Sequence, residues 1–124
     1  MNDSLYQRLG GATAVAAIID DAVDRHAANP TLAALFQRRD LPQLKVCGVR
    51  SLTAGTGGPG GSLRPDDIRQ HLGMIFSAAQ WRAVLADMTE ALHEAGIGVI
   101  EVDEVLSLFE SLGPVRNDSR TGRT

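Results

Sequence analysis

The stretch His71-Leu72-Gly73-Met74-Ile75-Phe76-Ser77-Ala78-Ala79-Gln80-Trp81 sets one histidine among apolar neighbours and then opens a helix. Ser77 is a capping residue type, because a short side-chain oxygen can accept from the unpaired N–H groups of a first turn. Beyond it Trp81, Val84, Leu85, Met88 and Leu92 fall at i, i+3, i+4, i+7 and i+11, which predicts an amphipathic helix over residues 78–95, stopped by Gly96. Upstream, Ile68, Leu72, Met74, Ile75 and Phe76 flank His71, so its imidazole is expected to face an apolar space.

The same texture extends both ways along the chain. Leu5, Tyr6 and Leu9 make a short first helical segment that ends at Gly10-Gly11. Val15, Ile18, Ile19, Ala22 and Val23 recur at steps of three and four and predict a helix over residues 12–28, stopped by Asn29-Pro30. Leu32 to Phe36 reads as a short helical turn. A helix over residues 40–54 follows, with Asp40 as N-cap, Pro42 in the first turn, and Leu41, Leu44, Gly48 and Leu52 along one face. The run Gly55-Thr56-Gly57-Gly58-Pro59-Gly60-Gly61-Ser62 reads as a mobile loop within one domain. Pro65-Asp66-Asp67 starts a short helix to Gly73, with acids set against its dipole. A last helix from Val99 to Leu112 is expected to turn Ile100, Val105, Leu108 and Phe109 inward, with Gly113-Pro114 ending it. No alternating strand pattern occurs. The expectation is one all-α domain over residues 1–113 and a disordered polar tail over residues 114–124.

Composition narrows the function. Of 124 residues, 44% are hydrophobic and 22% charged, the mixture of an ordinary folded domain. A formal charge of −3 is the wrong balance for gripping nucleic-acid phosphates. The lone cysteine, Cys47, excludes an intramolecular disulfide framework and reads as a small buried hydrophobe. No basic-then-apolar leader opens the chain, and no run approaches a membrane helix, so a cytoplasmic location is expected and no membrane partner. Nucleophile elbows, phosphate loops and dinucleotide fingerprints are absent from the sequence.

Three histidines remain as chemistry. His26, beside Asp24, Arg25 and Asn29, reads as ordinary surface, and His93 as a helix-end cation. His71 is either a satisfied core residue or a ligand. No His, Cys or carboxylate follows it at i+3 or i+4, so a zinc site is poorly supported. An unaccompanied histidine on an apolar wall suits haem iron, whose remaining equatorial donors come from the porphyrin.

The order of motifs resembles the truncated haemoglobins, a bacterial family with a two-over-two helical globin sandwich, and its group I branch in particular. Residues 4–112 carry the resemblance. Ser4 to Gly11 is similar to the family's opening helix and Gly-Gly hinge, Ile18-Ile19-Asp20-Asp21 leads the second helix, and Asn29-Pro30 with Leu32 to Phe36 matches the corner. Gly57-Gly58-Pro59 matches the Gly-Gly-Pro loop, and His71 to Ser77 with Trp81 matches the proximal motif. The resemblance implies a haem cofactor with His71 as proximal iron ligand. It implies a pocket of Phe36, Leu44, Gly48, Met74, Phe76, Trp81 and Val84, with Arg39 and Lys45 as candidate propionate partners. The implied partners are a diatomic gas (oxygen, carbon monoxide or nitric oxide) and an electron-supplying reductase, in a monomer or weak homodimer.

The departures from the family pattern fall on the distal side. Val23 stands where a tyrosine is usual, Gly48 where a glutamine often assists, and Ala22 replaces a common phenylalanine. Leu44 occupies the distal gate, Cys47 replaces a lysine that commonly reaches a propionate, and Asp67 replaces a methionine, with Ile68 beside it. Val23, Leu44 and Gly48 make a distal pocket with no side-chain proton donor, and one expected to be roomier unless the helices close in. Gas binding needs no catalysis. Nitric-oxide dioxygenation is a family activity, but it requires stably held oxygen. The alternative readings are a haem-free globin-fold interaction or regulatory module and, more remotely, a peroxidase-like haem enzyme.

Overall fold

The structure, a computed structural model, describes residues 3–59 and 76–112. Among these residues it is all-helical: α1 Leu5–Leu9, α2 Gly11–Ala28, α3 Ala33–Phe36, α4 Leu41–Gly55, α5 Ala78–Glu94 and α6 Val99–Leu112. The expected short helix up to Gly73, His71 and Met74 themselves, and the polar tail lie outside the described residues.

Local signals set the helix ends. Ser4 accepts from the Gln7 N–H while the Gln7 side chain accepts from the Ser4 N–H, and Ser77 and Gln80 repeat this reciprocal box at the start of α5. Asp40 accepts from the Gln43 N–H at 3.2 Å, and Pro42 sits where a missing N–H is harmless. Between α1 and α2 the chain turns through Gly10 at φ 116°, a conformation that would strain any side chain.

The central helix is α2, with α4 and α5 packed against it, α6 packed on α5, and α1 bracing α2 and α6. Its Val15, Ile18, Ile19, Ala22 and Val23 are buried as their spacing predicts, and they join Leu9, Leu52, Met88, Ala91, Leu92, Val102 and Val105 in the main core. A second cluster of Leu32, Phe36, Leu44, Phe76 and Val84 sits at the α3 end. No described helix is long and apolar enough to cross a membrane.

Two expectations are corrected here. Ile100 is 67% exposed rather than inward. Val102 and Val105 set the buried stripe of α6, and Ile100 lies two residues, about 200°, round the helix from Val102. The glycine-rich run is not a loose loop where it is described. Gly55 still belongs to α4, Thr56 Oγ donates to Leu52 O at 2.6 Å, and the Tyr6 N–H donates to Thr56 O at 2.8 Å. Gly58 is required by close approach, since a Cβ there would lie 2.6 Å from Tyr6 Cδ1.

Candidate functional site

Five helices and Phe76 converge on one chamber. Ile19, Ala22, Val23 and His26 come from α2, Phe36 from α3, and Leu44, Gly48, Ser51, Leu52 and Gly55 from α4. Trp81, Val84 and Met88 of α5 and Leu108 and Phe109 of α6 close the far side. Protein atoms do not fill it: a cavity of about 90 Å³ remains.

Aromatic rings form a continuous row across this space. Phe36 and Phe76 have ring centroids 6.2 Å apart, Phe76 meets Trp81 edge-on at 5.2 Å, and Trp81 stacks on Phe109 at 6.4 Å. The Trp81 indole N–H donates to Phe109 O at 3.2 Å, which satisfies its one polar atom and leaves the ring face apolar. Four of the chain's five Phe, Trp and Tyr side chains thus lie in this row, and Tyr6 packs against the main core.

The residues expected at the distal side occupy the chamber wall, but the space behind them differs from expectation. Val23 and Leu44 are buried and carry no polar side-chain atom. The room expected at Gly48 is already taken. A Cβ on Gly48 would lie 2.8 Å from Ile19 Cγ2, so the missing side chain lets α2 and α4 close together. Gly48→Ala should therefore overpack this crossing and lower stability by about 1–3 kcal/mol, read as a drop in the urea midpoint. An unchanged midpoint would contradict the close approach.

Of the two cations proposed for propionates, Lys45 is engaged elsewhere. Its Nζ lies 2.8 Å from Asp20 Oδ1 and 2.9 Å from Asp24 Oδ1, tying α4 to α2. Arg39 is exposed just beyond α3. Cys47 is buried, within 3.9 Å of Gln43 Nε2, as its hydrophobe reading required. Ser51, the hydroxyl in the chamber wall, donates to Cys47 O at 2.8 Å within its own helix.

His26 overturns its surface reading. It is 5% exposed, lines the chamber, and its ring centroid sits 5.0 Å from that of Phe36. Nδ1 lies 2.9 Å from Asp87 Oδ2, and Asn29 Nδ2 donates to both Asp87 oxygens at 3.3 and 3.2 Å. The charged neighbours Asp24 and Arg25 suggested solvent, yet Ile19, Ala22, Val23 and His26 stand at i, i+3, i+4 and i+7 on one apolar face. That phase was the overlooked signal. His93, by contrast, is exposed as expected.

Burial lowers the His26 pKa from its ordinary 6.5, against the opposing pull of Asp87, so the ring is neutral at neutral pH. Because the folded value lies below the unfolded one, the unfolded chain binds the proton first as pH falls. Stability should hold above about pH 6.5 and decline as pH drops below it toward the folded value. Thermal midpoints across that window should fall in the wild type more than in His26→Leu. Equal slopes would contradict a buried neutral imidazole.

A family model described as bacterial-like globin matches residues 4–115. The chain belongs to the bacterial-like globin family, the truncated haemoglobins. The globin is 26% identical over 111 residues to the group 1 truncated haemoglobin GlbN of Mycolicibacterium paratuberculosis, covering 90% of this chain and 82% of that one. Its fold matches the crystal structure of the Fe(III) truncated haemoglobin of Tetrahymena pyriformis with TM-score 0.78 at 21% identity, covering 88% and 93% of the two chains. It also matches the 2/2 haemoglobin of a Synechococcus species, solved in the cyanomet state with covalently attached haem, with TM-score 0.74 at 21% identity, covering 87% and 91%. Truncated haemoglobins are haem-binding globins.

Proposed function

We propose that this globin binds haem with His71 as the proximal iron ligand and takes up a small gaseous ligand on the side lined by Val23 and Leu44. The observation that carries the reading is the chamber itself. Aromatic edges and aliphatic side chains from α2 to α6 converge on unfilled space, and the wall includes buried His26, whose Nε2 has no hydrogen-bond partner among the described residues. This lining fits the apolar body of a porphyrin, and no described group of three His, Cys, Asp or Glu residues competes for a bare metal ion.

Bound haem supplies an iron atom able to take a diatomic gas. The rest is the work of the chain. His71 would hold the iron and Met74 would add to the apolar wall, as the family likeness implies, while Phe36, Phe76, Trp81 and Val84 of the chamber would exclude water from the macrocycle. Arg39 and Lys45 are the candidate propionate partners, and Lys45 would have to leave Asp20 and Asp24 to serve. Val23 and Leu44 donate no proton to a bound gas. Electrons come from a separate reductase, and no catalytic residue is assigned.

The test is spectroscopic. Purified protein mixed with hemin and reduced should show a Soret band that moves on addition of carbon monoxide. Protein that takes up no hemin points instead to a haem-free interaction module.

A further inference from the structure

The buried imidazole of His26 is a polar group of the chamber wall that the haem-binding reading above leaves without a role. Its Nδ1 faces a carboxylate that only accepts hydrogen bonds, so Nδ1 carries the proton and Nε2 keeps a bare lone pair. Among the described residues Nε2 has no hydrogen-bond partner, and the residue is 5% exposed and lines the chamber. Asp87 is itself held by Asn29, so the pair is fixed before any ligand arrives.

Resting on the haem-binding reading above, we propose that His26 Nε2 is a proton acceptor for incoming ligands, and that the chamber thereby favours weak acids that bind as their conjugate bases. Hydrogen cyanide and hydrogen sulfide represent the class. The step balances simply. The H–X bond breaks heterolytically, its electron pair stays on X, the proton forms a bond to the Nε2 lone pair, and the product X⁻ is the form that haem iron would take as ligand. No electron changes hands. The imidazolium so formed sits 2.9 Å from the Asp87 carboxylate, which stabilises it as a closed ion pair inside an otherwise apolar wall. Asp87 and Asn29 are positioning residues here, since they reach the ligand only through the ring. Oxygen and carbon monoxide carry no proton to hand over, so they gain nothing from the same atom.

The experiment compares a ligand with a proton against one without, on hemin-loaded protein. Cyanide association with the ferric form at neutral pH, where the free ligand is protonated, is measured beside carbon monoxide association with the ferrous form. His26→Leu keeps the apolar volume and removes the acceptor. It should slow cyanide at least about tenfold while leaving carbon monoxide within about twofold. Asp87→Asn keeps the imidazole but weakens the imidazolium, and should slow cyanide selectively as well, which preserves the test should His26→Leu not fold. Cyanide rates unchanged in both variants, or cyanide and carbon monoxide rates falling together, overturn the acceptor role alone. Failure of the wild type to take up hemin overturns the haem reading, and this inference with it.

Discussion

His71→Ala should lose iron-linked haem retention. Its hemin affinity should fall at least about a hundredfold, equivalent to about 3 kcal/mol. The apolar chamber can still hold a porphyrin loosely by burial, but without a coordinating nitrogen the spectrum should become that of free or nonspecifically held hemin. His71→Gly supplied with imidazole should recover the Soret band, because the small molecule restores the missing nitrogen in the vacated space. Undiminished affinity and an unchanged spectrum in both variants would mean that another residue holds the iron. His26, on the chamber wall, would be the first to examine.

Val23→Tyr should slow oxygen dissociation by about tenfold to a hundredfold. Oxygen on ferrous haem carries partial negative charge on its outer atom, and a hydrogen bond to a charged acceptor is worth about 1.5–3 kcal/mol. Among the described wall residues none supplies one. Val23 and Leu44 are apolar, Ser51 donates to its own helix, and neutral His26 offers Nε2 as an acceptor. The wild type should therefore discriminate weakly in favour of oxygen relative to carbon monoxide, and the tyrosine variant should correct this. The single substitution is the right test. Adding glutamine at position 48 would drive a side chain into Ile19 and confound chemistry with misfolding. An oxygen off-rate unchanged by Val23→Tyr would mean that position 23 does not face the bound gas.

Local physics made most of the helices readable. The Ser4–Gln7 and Ser77–Gln80 boxes, Asp40 before Pro42, and the three-and-four spacing from Val15 to Val23 each act within a turn or two, so sequence alone displays them. The misjudged residues are those whose state is decided by a distant partner. Asp87 and Phe36, far along the chain, make His26 a buried group, and Ile19 turns Gly48 from empty space into a helix crossing. Ile100 was misplaced because a first-turn residue shows no phase until Val102 and Val105 fix the stripe. At the site, the aromatic wall of Phe36, Phe76 and Trp81 followed from motif register, whereas the contribution of Leu108 and Phe109 to the same wall required the packing of α6 on α5.

The most direct test is a hemin titration of the purified chain, followed at the Soret band and by the fluorescence of Trp81, its one tryptophan. Trp81 lies in the chamber wall, so haem seated there should quench its emission in step with growth of the Soret band, both saturating at one equivalent per chain. Emission that persists while hemin binds elsewhere, or the absence of a saturable Soret band, would contradict a haem site in this chamber.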